Sequence, residues 1–164
     1  MTSSWAATVM ALALVLTACG DDATEGDDVS AQQSETTYVA ALEEAVPLAA
    51  EAVGATRTEV VGQWQSCMGG HQYRGTGALH VGGSGADPAL DQLRSALTGA
   101  GWTDVTKVDG HVSVEKEDLT LDLQEPGGAF PDLWSLSFHS TCRLLSSADQ
   151  EYAETSEPRQ IAAG

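Results

Sequence analysis

The chain has 164 residues, enough for one domain with processing and linker segments, and its 24 acidic against 7 basic side chains give a net charge of −17. A surface of this sign repels phosphate, which argues against nucleic acid as a partner. The excess is uneven. Residues 20–35 hold six acids and no base, residues 149–164 hold four acids and only Arg159, and residues 36–148 set fourteen acids against six bases.

Residues 6–18, AATVMALALVLTA, form an apolar stretch. A membrane-spanning helix needs about 20 residues, and the shorter length suits the apolar region of a secretory signal. MTSSW ahead of it carries no Lys or Arg, which leaves room for a start upstream. The stretch ends in Leu16-Thr17-Ala18-Cys19 and Gly20. This Leu-x-Ala-Cys pattern resembles the lipobox of bacterial lipoproteins. The resemblance implies that the signal, residues 1–18, is cut before Cys19. The Cys19 thiol receives a diacylglycerol, and the new amino end takes a further palmitate-type chain. Two or more acyl chains, at about 0.8 kcal/mol per buried methylene, anchor a protein stably. The expected location is the extracytoplasmic side of the cell membrane, with the lipid as the contact. The alternative is a short buried helix in which Cys19 is a packed thiol.

Residues 19–36 read as an acidic tether. Asp21, Glu25 and Gly26 match positions of a calcium loop. Ala23 and Gln32 stand where two further ligands are required, so the match fails. The globular part is expected over 37–148. In 37–53, Tyr38, Leu42, Ala45, Ala49 and Val53 recur at helical spacing, Pro47 predicts a kink or two short helices, and Gly54 is a stop. Residues 58–67 and 72–81 read as strands, the second weakened by Gly75 and Gly77. Asp87 and Pro88 open a helix with a Leu90, Leu93, Leu97 stripe that ends at Gly99 or Gly101.

A meander follows. Residues 103–108 lead to Asp109-Gly110, a two-residue hairpin signal. HVSVEK, LTLDLQ and LWSLSFHSTC each alternate, so that Val112, Val114, Leu119, Leu121, Leu123, Trp134, Leu136 and Phe138 fall on inward faces. The prediction is an α+β domain: one antiparallel sheet of about five strands, one face wet, with two helices on the other. Residues 149–164 are expected as a disordered acidic tail.

If Cys19 is acylated, Cys67 and Cys142 remain as an even pair at two strand ends. Export would place them in an oxidising compartment, where a structural disulfide is the expected outcome. Free or redox-active thiols are the alternative, although no Cys-x-x-Cys is present.

Candidate chemistry is sparse. Ser137, His139 and Asp122 share the wet face and supply the side chains of a hydrolytic triad. Gly82-Gly83-Ser84-Gly85-Ala86 misses the nucleophile-elbow pattern at its last residue. His71, His80, His111 and His139 have no metal-ligand spacing, so neither a metal nor another cofactor is expected. Trp64 lies between Gln63 and Gln65, which suits either a core residue or a rim aromatic that meets a partner. Asp122, His139 and Trp64 are therefore the candidate surface site, with no residue assigned to catalysis.

Taken together, Leu-Thr-Ala-Cys, the acidic linker, Trp64 before Cys67, a Leu-rich helix ending in Gly101-Trp102 and a last strand ending in Ser140-Thr141-Cys142 resemble small secreted lipoproteins of actinobacteria, the LppA-like proteins among them. The resemblance implies an envelope protein and brings no catalytic residues with it. The leading expectation is a binding or envelope-associated module of unknown ligand, with an envelope protein or a small molecule as partner. The alternatives are an extracytoplasmic hydrolase and an accessory subunit of a membrane transporter or sensor.

Overall fold

The computed structural model describes residues 29–82 and 89–164. Cys19, the apolar stretch before it and the Asp87-Pro88 helix start lie outside the described residues. The element order is α1 (Ala31–Val53), β1 (Ala55–Cys67), β2 (Gly70–Val81), α2 (Ala89–Gly99), β3 (Thr103–Asp104), β4 (His111–Lys116), β5 (Leu119–Gln124), β6 (Leu133–Ser140), α3 (Ser147–Thr155) and β7 (Arg159–Ala163). The class is α+β. All strands join one open antiparallel sheet in the order β3-β4-β5-β6-β2-β1-β7. Among the described residues there are seven strands, all in this sheet, and three helices, where about five and two were expected.

The additions come from the ends. The tether expected to reach residue 36 gives way to helix at Ala31, because Ser30 and Gln33 form a capping box. Gln33 donates its backbone N–H to Ser30 Oγ, and Ser30 donates its own to Gln33 Oε1. Residues 149–164 are not a loose tail. Asp149 Oδ1 accepts the Ala31 amide at 2.8 Å, Tyr152 donates to Glu35, Ala153 and Ile161 are buried, and β7 pairs with the outer edge of β1. A few apolar anchors suffice because α1 and β1 already offer surfaces to bind them.

α1 runs through Pro47 as one element. Pro47 and Glu43, whose carbonyl loses its helical donor, are both exposed, so water replaces that bond. α2 stops on a Schellman motif, in which Trp102 N–H reaches Leu97 O and Gly101 N–H reaches Thr98 O, with Gly101 at φ 85°. The Asp109-Gly110 hairpin does not form as a two-residue turn. Asp104 Oδ1 accepts the Thr106 amide and ends β3 early, leaving residues 105–110 as a longer connection. The tight turn lies one strand later, at Glu117-Asp118, between paired Lys116 and Leu119.

The helices cover one face of the sheet. The core lies between them and Val60, Trp64, Tyr73, Leu79, Val112, Val114, Leu119, Leu121, Leu123, Trp134, Leu136 and Phe138. Gly62 and Gly75 sit opposite each other where the Tyr73 and Phe138 rings lie on the sheet. A Cβ on Gly62 would come within 2.7 Å of the Tyr73 hydroxyl, and one on Gly75 would meet Val61 O and Phe138. The glycines that weaken β2 by propensity are therefore required by its packing. Cys67 and Cys142 are disulfide-bonded with a Cα–Cα distance of 6.1 Å.

Two measurements test this account. Gly75→Ala should cost about 3 kcal/mol, the upper end of the usual overpacking cost. Joint Cys67→Ser and Cys142→Ser replacement should cost about 2–5 kcal/mol. Urea midpoints read both, and the double variant should no longer respond to reductant.

Candidate functional site

On the helix-free face, pairing lines up side chains in rows across the strands. One row runs Ser113, Asp122, Ser137, Thr76 and Val61, and the next runs Glu115, Thr120, His139, Arg74 and Gln63. Asp122 and His139 therefore stand in different rows. His139 makes no side-chain hydrogen bond among the described residues, and the expected Ser137, His139, Asp122 grouping does not assemble.

A different group forms around Asp122. Ser113 Oγ donates to Asp122 Oδ2, and His111 Nδ1 lies 3.1 Å from Oδ1. The carboxylate is thus in the middle, with serine and histidine on either side. A hydrolytic triad needs the histidine in the middle, between acid and nucleophile. Asp122 fixes the His111 ring and leaves Nε2 as its open nitrogen.

His111 lines a cavity of about 500 Å³ between α2 and the 105–110 connection. Arg94 is clamped there, with Nη1 2.9 Å from Asp91 and Nε 2.9 Å from Asp104. The Asp104 carboxyl is held below its ordinary pKa by hydrogen bonds from Thr106 and by the Arg94 charge. Lys107 also lines the cavity and has no ion-pair partner among the described residues. No group of three or more His, Cys, Asp or Glu side chains is placed to hold a metal ion among the described residues.

Trp64 is 6% exposed and belongs to the core, so it is not a rim aromatic. It lies on the helix-covered face, where Nε1 donates to Glu35 Oε2 at 3.0 Å and the Arg143 guanidinium sits 5.8 Å from a ring centroid. Tyr152 donates to the same Glu35 oxygen at 3.1 Å. Tyr38 stacks on Tyr73 and donates to Asp118 Oδ2 at 2.6 Å, pinning the β4–β5 turn to α1. Burial and the Asp118 carboxylate push the Tyr38 phenol up to about 12. Tyr73 is pushed up by burial and Glu35, and Tyr152 by burial and its bond to Glu35.

Alternation alone puts Ser113 and Asp122 on the wet face without pairing them or joining His111 to them, although HVSVEK and LTLDLQ leave only Glu117-Asp118 between the two strands. A turn at Glu117-Asp118 places Ser113 opposite Asp122 by counting alone. Comparison with protein-family models, curated proteins and solved structures finds no match.

Asp122→Ala should cost about 1 kcal/mol, since a half-exposed acceptor of two bonds is lost. Ser137→Ala and His139→Ala should stay within about 0.5 kcal/mol of the parent in the same urea measurement. Alkaline stability gives a second check. Phenols with raised folded-state pKa stabilise the fold fully below about pH 10, and that contribution is lost as pH rises through about 12. Tyr38→Phe should flatten the fall over this window, followed by circular dichroism.

Proposed function

We propose that the chain is a lipid-anchored envelope protein whose domain acts as a binding module on the extracytoplasmic side of the membrane. The observation that carries this is the Cys67–Cys142 bond. Structural disulfides are typical of oxidising compartments, which supports export, and this pairing leaves Cys19 as the one cysteine outside the pair, at the end of a signal-length apolar stretch. Among the described residues no helix is long and apolar enough to cross a membrane.

The binding element is the cavity beside His111. Its lining is mostly polar and includes Lys107, which has no ion-pair partner among the described residues, and this suits a small polar solute. The fixed imidazole gives the hydrolytic reading its one supporting observation. That reading needs water or a nucleophile at Nε2, because Ser113 is engaged by Asp122 and not by the ring.

Mass spectrometry of membrane fractions tests the anchor. The native chain should yield a mature amino end at Cys19 carrying acyl groups, and Cys19→Ser should move to the soluble extract. An unmodified, soluble native chain overturns the reading.

A further inference from the structure

The end of the domain that carries the disulfide differs from the rest of the surface. Met68, in the β1–β2 turn, is fully exposed, Leu144 is 82% exposed and Val29 is 50% exposed. They lie at one end. The Met68 carbonyl is 3.7 Å from Cys142 Sγ, a Cβ on Gly70 would abut the Arg143 carbonyl and Leu144 N, and Arg143 bonds to Ser34 one turn into α1.

Charge is missing there too. Residues 29–34, 65–70 and 140–148 contain a single charged side chain, Arg143, in a chain with 24 acids and 7 bases. Arg143 is half-buried against Ser34 and Trp64. Of the adjoining acids, Glu35 is buried under Trp64 and Tyr152, Asp149 holds the Ala31 amide and Ser146, and the exposed Glu154 of α3 faces His71 at 3.9 Å on the margin of the patch. Glu117 and Asp118 occupy the same end on the far side of β6, so the uncharged area belongs to the β6-β2-β1 half.

We propose that this end rests on the lipid bilayer, with Met68 and Leu144 entering the interface. The inference rests on the lipid-anchor reading. The chain before α1 leaves from Val29, beside the patch. Ten residues from Cys19 reach at most about 35 Å, so the anchor draws this end toward the membrane before any other. Uncharged tips with protruding apolar side chains enter a neutral headgroup region at little cost, while Asp21, Asp22, Glu25, Asp27 and Asp28 in the preceding sequence disfavour anionic lipid. A second copy of the chain is a poorer occupant, because three side chains fall far short of the roughly 800 Å² per partner of a stable interface.

Met68 is the one methionine beyond residue 10, which makes it a specific reporter. Phe130, 66% exposed at the opposite end of the strands, is the internal control. The lipidated full chain and Cys19→Ser are each exposed to hydroxyl radicals with phosphatidylcholine vesicles present, after flotation has shown which protein is bound. The expected result is several-fold slower modification of Met68 in the floated protein, with Phe130 equal in both. Flotation with Met68 unprotected overturns this inference and leaves the anchor standing. Failure of the native chain to float overturns both. Met68 protection in Cys19→Ser that grows with protein concentration overturns it in favour of a second copy.

Discussion

The bond between Cys67 and Cys142 crosses the start of β2, because β2 lies between β1 and β6 in the sheet. Much of that end of the molecule follows from the crossing. The chain beneath it is narrow: a side chain at Gly70 would strike the Arg143 carbonyl. His71 and Arg143 exchange backbone hydrogen bonds of 2.9 and 3.0 Å, which extends pairing past the end of β6. Ser140 Oγ accepts the Tyr73 amide at 2.9 Å, replacing a ladder partner where the strands part. Arg143 is thereby positioned to reach Ser34 and cover Trp64, so the bridge also locates the start of α1.

Strand direction then separates two regions of different character. The bridge, Met68 and Leu144 occupy one end of the strands. His111 begins β4 and Gln124 ends β5 at the other, where the 105–110 connection and α2 enclose the cavity. The six residues of β4 put about 20 Å between them. The β6-β2-β1 half of the first end exposes Met68 and Leu144 with few charges, and the other end carries Asp91, Arg94, Asp104 and Lys107. If the proposed anchor holds the first end down, the cavity faces away from the membrane.

What could be read in the sequence was governed by period. Alternation in HVSVEK, LTLDLQ and LWSLSFHS placed every inward residue of β4, β5 and β6 on its observed face, since one packed face tolerates no slip. The Leu93 and Leu97 stripe was equally legible. The misses share a cause. The α1 start, α3 and β7 are largely polar segments held by long-range contacts, such as Asp149 to Ala31, Tyr152 to Glu35 and the β1–β7 ladder, and no local pattern announces a partner about a hundred residues away. The site was half legible: alternation puts Asp122 on the wet face, while its partners follow from the cross-strand pairing over the Glu117-Asp118 turn. Glu117 adopts φ 56° without being glycine, so its turn carries no composition signal. Trp64 was ambiguous because flanking glutamines describe the opposite face of the strand.

The contacts that complete the helix layer join the beginning of the chain to its end. Ala31 meets Asp149, Glu35 meets Tyr152, and Val60 and Gly62 pair with Ala162 and Arg159. A chain delivered amino end first therefore exposes α1 and β1 long before their partners arrive. Until β7 docks, the outer edge of β1 offers unpaired amides and carbonyls to any other strand nearby. Such late, distant closures slow folding. The pairing of β7 is what closes that edge of β1.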